Sequence, residues 1–100
     1  MEKEKNIHMI EEKISGGKLV YIYFLDMQNP KKIGKIRICG DFFLHPEEKI
    51  KKIESKVAEF DLDKSESELE KLIEEELQNC EFAGFSAKDI AKIIKRGRNQ

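Results

Sequence analysis

Apolar residues follow two spacings along this chain: alternate positions in its first half and every third or fourth position in its second. Lys18 to Met27 is the clearest strand. Its apolar side chains lie on both faces, with Leu19, Tyr21, Tyr23 and Leu25 on one and Val20, Ile22 and Phe24 on the other. A strand of this kind is covered on both sides, or is covered on one side and used as an interface on the other.

Two further strands are predicted beside it. The segment from Lys5 to Ser15 mixes strand and helix spacing, and we favour a strand because it leads through Gly16-Gly17 into the next strand. Gln28 to Lys32 has the composition of a turn, since it contains an asparagine and a proline. The alternation from Ile33 to Cys39 then predicts a third strand, which forms an antiparallel hairpin with the second.

Everything after Pro46 is helical in pattern. The first helix is expected from about Pro46 to Phe60, the second from about Ser65, and the third from Ser86 until Gly97. Strands followed by helices predict an α+β fold, with three helices packed on a small antiparallel sheet of about three strands. We expect a single domain over residues 1–100, with the sheet at about 5–45, the helices at about 46–96 and a frayed tail at 97–100.

The junction between sheet and helices is the best-marked stretch of the chain. Gly40 suits a bend or a close approach of two backbones, and the carboxylate of Asp41 can accept N–H groups of a turn. Phe42 and Phe43 follow, although chain reversals are usually polar. These two rings belong either to the core or to a surface that a partner covers, and the sequence leaves both interpretations open.

Composition narrows the class of protein. The chain has 100 residues, of which 39% are hydrophobic and 39% charged, and a formal net charge of -1. This composition is that of a globular domain with a heavily charged surface, without the basic signature of a nucleic-acid binder. Its longest apolar stretch is too short to cross a membrane, and no signal segment follows the charged N-terminus. We therefore expect a cytoplasmic protein that binds neither nucleic acid nor membrane.

Residue types that carry catalysis are sparse. His8 and His45 are the only histidines, they fall in different predicted elements, and His45 is expected to cap the first helix or to lie in solvent. Cys39 and Cys80 form neither a disulfide framework nor a CxxC pair. Gly16-Gly17-Lys18 lacks the spacing of a phosphate-binding loop and is expected to form a turn. We predict no catalytic residue and no metal site in this chain.

Charge is unevenly distributed over the predicted helices. The second helix is acidic, with Glu66, Glu68, Glu70, Glu74, Glu75 and Glu76, whereas the C-terminal segment is basic, with Lys92, Lys95, Arg96 and Arg98. A solvated face explains the first group, and complementarity to the helix dipole explains the second. A basic partner and a nucleic-acid contact are the respective alternatives.

Several of these features together resemble the C-terminal accessory domain of lipoate–protein ligases. The shared features are Gly16-Gly17-Lys18 opening an apolar strand, Gly40-Asp41-Phe42-Phe43 after an alternating strand, Pro46-Glu47 leading into a helix that carries Glu54, and Phe82-Ala83-Gly84 before the last helix. The resemblance covers roughly Gly16 to Ile94. The fold of that domain is in turn similar to the fold of iron–sulfur scaffold and sulfur-acceptor proteins.

The resemblance implies a division of labour between two chains. In this family a large domain binds lipoate and ATP and carries the catalytic lysine, and some archaea encode it separately from the accessory domain. This chain would then be the non-catalytic subunit of a bipartite ligase. It would bind no cofactor itself, would be required for the formation of lipoyl-adenylate from lipoate and ATP, and would serve the lipoyl-acceptor proteins only indirectly.

A surplus of apolar groups suggests where the catalytic subunit would bind. We expect the contact on the apolar second strand and at Lys18, Gly40, Asp41, Phe42 and Phe43. Two rival functions stay open. Two cysteines are too few to hold an iron–sulfur cluster, but a sulfur acceptor needs one exposed thiol, and Cys39 is the candidate. An RNA-binding protein is the other rival, although its basic C-terminal segment lacks aromatic residues for base stacking.

Overall fold

The computed structural model describes residues 7–14, 16 and 18–99. The elements follow in the order β1 (His8–Lys13), β2 (Leu19–Asp26), β3 (Lys35–Gly40), β4 (Phe43–His45), α1 (Lys49–Ala58), α2 (Glu66–Leu77), β5 (Glu81–Ala83) and α3 (Ala87–Arg98). The predicted α+β class is confirmed, because three antiparallel strands and three helices are present as expected. β4 and β5 add a second, two-stranded sheet.

The main sheet is covered by helices on one of its two faces. Apolar side chains lie on both faces of β2, and those on the other face are only half-buried. β1, β2 and β3 are antiparallel in that order, and the register aligns Ile10, Ile22 and Ile38 across the three strands. The covered face carries the buried side chains Ile10, Val20, Ile22, Phe24, Ile36 and Ile38. The opposite face carries Leu19, Tyr21, Tyr23 and Leu25, which are half-buried. The apolar second strand is therefore a core strand on one side only.

The three helices form the layer that covers this sheet. α3 packs on β1 and β2, α1 packs beside β3, and α2 contacts both other helices. The spacing of apolar residues predicted these faces, since Ile53 and Val57 of α1, Ile73 of α2 and Ile90 and Ile94 of α3 are all buried. The core is thus shared by the inner sheet face and the apolar stripe of each helix.

The first helix begins later than its pattern predicted. Pro46 was expected in the first turn of the helix, but His45 ends β4 and α1 begins only at Lys49. Pro46 and Glu47 form a preceding turn, in which the Pro46 carbonyl accepts the N–H of Lys49 at 3.1 Å. Of the two roles expected for His45, solvent exposure is the one observed, because pairing of β4 with β5 holds this exposed residue in a strand and Glu48 is the N-cap of α1.

The strand β5, which lies between the second and third helices, was not predicted from the sequence. Phe82 was expected in an apolar connection between helices, and it instead lies in β5, opposite Leu44 of β4. Each of the two strands has only three residues, which is too short for an alternation to be recognised. Part of the expected connection between the second and third helices is therefore a strand.

The C-terminal residues that were expected to fray are held by the rest of the fold. Gly97 and Arg98 lie within α3, and a Cβ at Gly97 would lie 2.8 Å from the Phe24 ring, so the glycine lets the helix approach the sheet closely. Arg98 Nε donates to the Ile33 carbonyl at 3.0 Å. Gln100, the start of the first predicted strand and Gly17 of the predicted glycine turn lie outside the described residues.

Candidate partner-binding site

The five residues predicted to bind a partner lie at one end of the main sheet. The register places Gly40 opposite Val20, and the Asp41 N–H donates to the Leu19 carbonyl at 3.0 Å. Lys18 directly precedes Leu19, so it reaches the same end. Both Lys18 and Asp41 are exposed. The fold therefore brings together residues that are more than 20 positions apart in the chain.

Two glycines shape this end of the sheet. Gly40 has a φ of +153°, and a Cβ there would lie 2.4 Å from the carbonyl oxygen of Leu19. The close backbone approach inferred from the sequence is thus present, and no other residue suits it. Gly84 has a φ of +93°, and a Cβ there would lie 3.2 Å from the Cα of Phe42. Gly40 lets the end of β3 approach β2, and Gly84 lets the chain after β5 pack against the residues after β3.

The adjacent phenylalanines have different environments. Phe42 is half-buried and packs against the core, with its ring edge-on to Phe85 at a centroid distance of 4.9 Å. Phe43 is in β4 and remains 54% exposed. The core interpretation therefore holds for Phe42, and the surface interpretation is left for Phe43. Neither observation tests whether a partner binds here, and that role stays a prediction.

Phe82 is a second exposed ring on the small sheet, which the sequence had not indicated. Its side chain is 41% exposed, and its ring centroid lies 5.1 Å from that of Phe85. We name Phe42, Phe82 and Phe85, together with Phe43 on the other face of the small sheet, the aromatic patch. The signal in the sequence was the apolar content of the connection at Phe82 to Phe85. Nothing in the sequence placed that connection beside Phe43, because strand pairing alone joins them.

An open groove of about 700 Å³ runs beside the aromatic patch, between the end of β3, β4 and the start of α1. Its lining includes Cys39, Phe42, Phe43, Glu48 and Ile50. Cys39 is a free, half-buried thiol. Within residues 7–14, 16 and 18–99, no three His, Cys, Asp or Glu side chains are grouped so that they could hold a metal ion. The groove therefore combines apolar side chains with polar and charged ones, including His45, Glu47 and Lys51.

Glu54 protects the neighbouring edge of the main sheet. Its carboxylate, on α1, accepts the backbone N–H of Ile38 at 2.7 Å. β3 is an edge strand, and an unpaired edge can pair with another chain. Ile36 and Ile38 are also almost fully buried. Glu54 therefore satisfies one outward N–H of this edge strand, which gives a physical role to a glutamate that the sequence marked only by resemblance.

The acidic second helix is tied to the first by one of its glutamates. Glu76 is buried, and its carboxylate lies 2.9 Å from Lys56 Nζ and 3.5 Å from Lys49 Nζ. The hydrogen bond from Lys56 lowers the pKa of Glu76, against the opposing effect of its burial. Glu66, Glu74 and Glu75 are exposed, as expected for a solvated face. Part of the acidic character of α2 therefore serves contacts inside the fold.

The basic C-terminal segment is likewise used internally. Lys95 Nζ donates to the carbonyls of Leu62 and Lys64 at 3.0 and 2.9 Å, and Arg96 pairs with Glu12. Arg98 binds carbonyl groups of the loop between β2 and β3, as described above. These contacts account for three of the four basic side chains without nucleic acid, and they weaken the RNA-binding interpretation.

The chain is a small α+β domain with a three-stranded sheet, a two-stranded sheet and three helices. No protein-family model and no curated protein matches the sequence. A search of solved structures finds a chain from the structural analysis of an archaeal lipoylation system, a bipartite lipoate protein ligase and its E2 lipoyl domain from Thermoplasma acidophilum. The match has a TM-score of 0.69 and covers 91% of this chain and 97% of that chain, with 18% sequence identity. At this identity, the two chains are similar in fold.

No helix in the described part of the chain is both long enough and apolar enough to cross a bilayer.

Proposed function

We propose that this chain is the accessory subunit of a bipartite lipoate–protein ligase and acts with a separate catalytic subunit in protein lipoylation. The observation that carries the proposal is the similarity in fold to a chain of an archaeal bipartite ligase system, over nearly the whole of both chains. The sequence supports it independently, because Gly40-Asp41-Phe42-Phe43 and its flanking elements resemble the accessory domain of the same ligases.

The subunit would assist adenylation without supplying an acid or base. In our proposal the catalytic subunit binds lipoate and ATP, forms lipoyl-adenylate and pyrophosphate, and then transfers the lipoyl group to a lysine of an acceptor protein. Adenylation builds charge at phosphorus, and its product is a mixed anhydride that water hydrolyses. A small domain that closes over such a site can exclude water and fix loops in a reactive geometry.

The surface that would meet the catalytic subunit combines the predicted residues with one that the fold adds. Lys18, Asp41 and Phe43 are exposed at one end of the main sheet, and Phe82 is exposed nearby on β5, on the other face of the small sheet. The open face of β2 adjoins the same end. Gly40 and the half-buried Phe42 would contribute by shaping the corner, since neither offers much side chain to a partner.

The proposal is tested by co-expressing this chain with the large subunit of a bipartite lipoate–protein ligase from the same organism. We expect the two chains to co-purify. We also expect the formation of lipoyl-adenylate, measured as the pyrophosphate released with it, to depend on the small chain. The proposal fails if the large subunit forms lipoyl-adenylate equally fast alone and does not retain the small chain.

A further inference from the structure

The outer edge of β5, in the small sheet that it forms with β4, lies at the surface. Glu81, Phe82 and Ala83 of β5 are all exposed, whereas Leu44 in the middle of β4 is buried. β5 pairs only with β4, and among the described residues no side chain bonds to its backbone in the way that Glu54 bonds to β3. An open edge presents unpaired N–H and C=O groups to any extended chain.

The side chains beside this edge are unusually apolar for a surface. Of the four large apolar side chains that are exposed in the described chain, two lie on the small sheet, Phe43 on β4 and Phe82 on β5. Phe43 pairs with Ala83 and therefore shares a face with it, whereas Phe82 shares the opposite face with Leu44. An added strand could contact Phe82 on one face and reach Phe43 over the small Ala83 on the other.

The charges around the small sheet favour a basic partner. Within three residues of its strands, the charged residues are all exposed carboxylates, namely Asp41, Glu47, Glu48 and Glu81, and Glu81 lies opposite His45 of β4. Lys51 lines the adjoining groove, and Lys18 lies at the end of the main sheet, so the surface is acidic in balance. Opposite charges paired across two strands are favourable, and like charges are unfavourable.

We infer that β5 accepts an extended segment of the catalytic subunit, which adds to the small sheet as a third strand. The segment has apolar side chains opposite Phe82 and Ala83 and a basic side chain opposite Glu81. Backbone hydrogen bonds supply affinity in this mode of binding, and alternate side chains supply specificity. The identity of the partner rests on the proposed function, whereas the open edge and its charge are properties of this chain.

The inference is tested with the purified catalytic subunit by measuring affinity and amide hydrogen exchange. We expect the amides of residues 81–83 to become protected in the complex. Glu81→Lys should weaken binding about tenfold at low salt, and the loss should shrink at high salt. Glu74→Lys, an equal charge change at an exposed site on α2, should alter affinity less than twofold. Circular dichroism of both variants checks that they are folded.

Different results overturn different parts of the account. If a complex forms and supports adenylation, but residues 81–83 gain no protection and Glu81→Lys behaves like Glu74→Lys, the strand addition is wrong and the proposed function stands. If no complex forms, both fail. If protection of residues 81–83 rises with the concentration of this chain alone, the edge accepts a second copy and the inferred partner is wrong.

Discussion

Phe42 and Phe43 are adjacent residues of the same type, but Phe42 packs against the core and Phe43 is exposed. They therefore form a matched pair for mutagenesis. Phe42→Ala should lower the free energy of unfolding by about 2 kcal/mol, less than for a fully buried ring. Phe43→Ala should change it by less than about 0.5 kcal/mol, because the ring is largely in water. Urea unfolding measures both values.

Binding should follow the opposite order from stability. Phe43→Ala, although it leaves the fold intact, should weaken the complex with the catalytic subunit, because it removes an exposed apolar side chain from the proposed contact. Lys71→Ala is a suitable control, since Lys71 is exposed on α2, outside the proposed contact. Equal effects of the two variants on affinity would show that the patch is not the contact.

Cys39 separates the lipoylation proposal from the sulfur-acceptor alternative. Its thiol is half-buried on an edge strand, and no catalytic step of the proposed function uses it. Cys39→Ser should leave the stimulation of lipoyl-adenylate formation unchanged. Fast alkylation of Cys39 in the folded chain, together with sulfur transfer to it from a desulfurase, would favour the rival function.

The sequence identified most of the site residues but not their separate roles. Gly40 was predictable, because a glycine at the end of an alternating strand indicates a bend, and the structure has one there. The exposure of Phe43 was not, because β4 has three residues and its pairing partner lies beyond two helices. Phe82 joined the site only through that pairing. Local patterns do not encode contacts of this range.

The contact between α1 and α2 should make stability depend on pH through Glu76. Its pKa is lowered in the folded protein, chiefly by the hydrogen bond from Lys56. The carboxylate therefore stabilises the fold above the pKa it has when unfolded, near 4.5. This contribution is lost as the pH falls through the folded pKa.

Glu76→Gln tests this linkage directly. The variant should be less stable than the parent by about 1 kcal/mol at pH 7, since one charged hydrogen bond is weakened. The difference should be smaller at pH 3 than at pH 7, because more of the Glu76 carboxylate is protonated at the lower pH. Chemical unfolding at the two pH values measures it, with Glu74→Gln on the exposed face as the control. A difference that is the same at both pH values would contradict the assignment.

α3 should hold the loop between β2 and β3 through Arg98. Its guanidinium donates to the carbonyls of Ile33, Asn29 and Lys32 at 3.0, 3.1 and 3.1 Å, and a lysine cannot make these bonds together. Arg98→Lys should therefore cost about 1–2 kcal/mol of stability and speed amide exchange in the loop. Arg96→Lys, which can keep its partner Glu12, should be nearly neutral. Equal stability of the two variants would show that the hydrogen bonds from Arg98 to the loop do not stabilise the fold.

The elements themselves differ in how well their sequences specify them. The start of α2 was predictable, because Ser65 and Glu68 form the capping box that their spacing indicates. The start of α1 was not, because Pro46 is equally compatible with a helix and with the turn that follows β4. Pairing between β4 and β5 decided between them. Tertiary contacts therefore override local preference at the corner where the candidate site lies.

At the scale of the whole molecule, one layer of helices covers one face of a three-stranded sheet. The half-exposed face of β2, the aromatic patch and the open edge of β5 are left on the surface. The periodicity of the helices and the apolar strands was enough to predict this class of fold. It was not enough to indicate a function. The proposed function rests on the resemblance of the junction between sheet and helices to the accessory domain of lipoate–protein ligases, and on the similarity in fold.

The dependence of lipoyl-adenylate formation on this chain is the most direct test of the account. The measurement is pyrophosphate release from lipoate and ATP by the catalytic subunit as this chain is titrated in. The account predicts little release without the chain, saturation near one chain per catalytic subunit, and a higher half-saturating concentration for Phe43→Ala and Glu81→Lys. An unchanged rate across the whole titration, with no complex between the two chains, would contradict it.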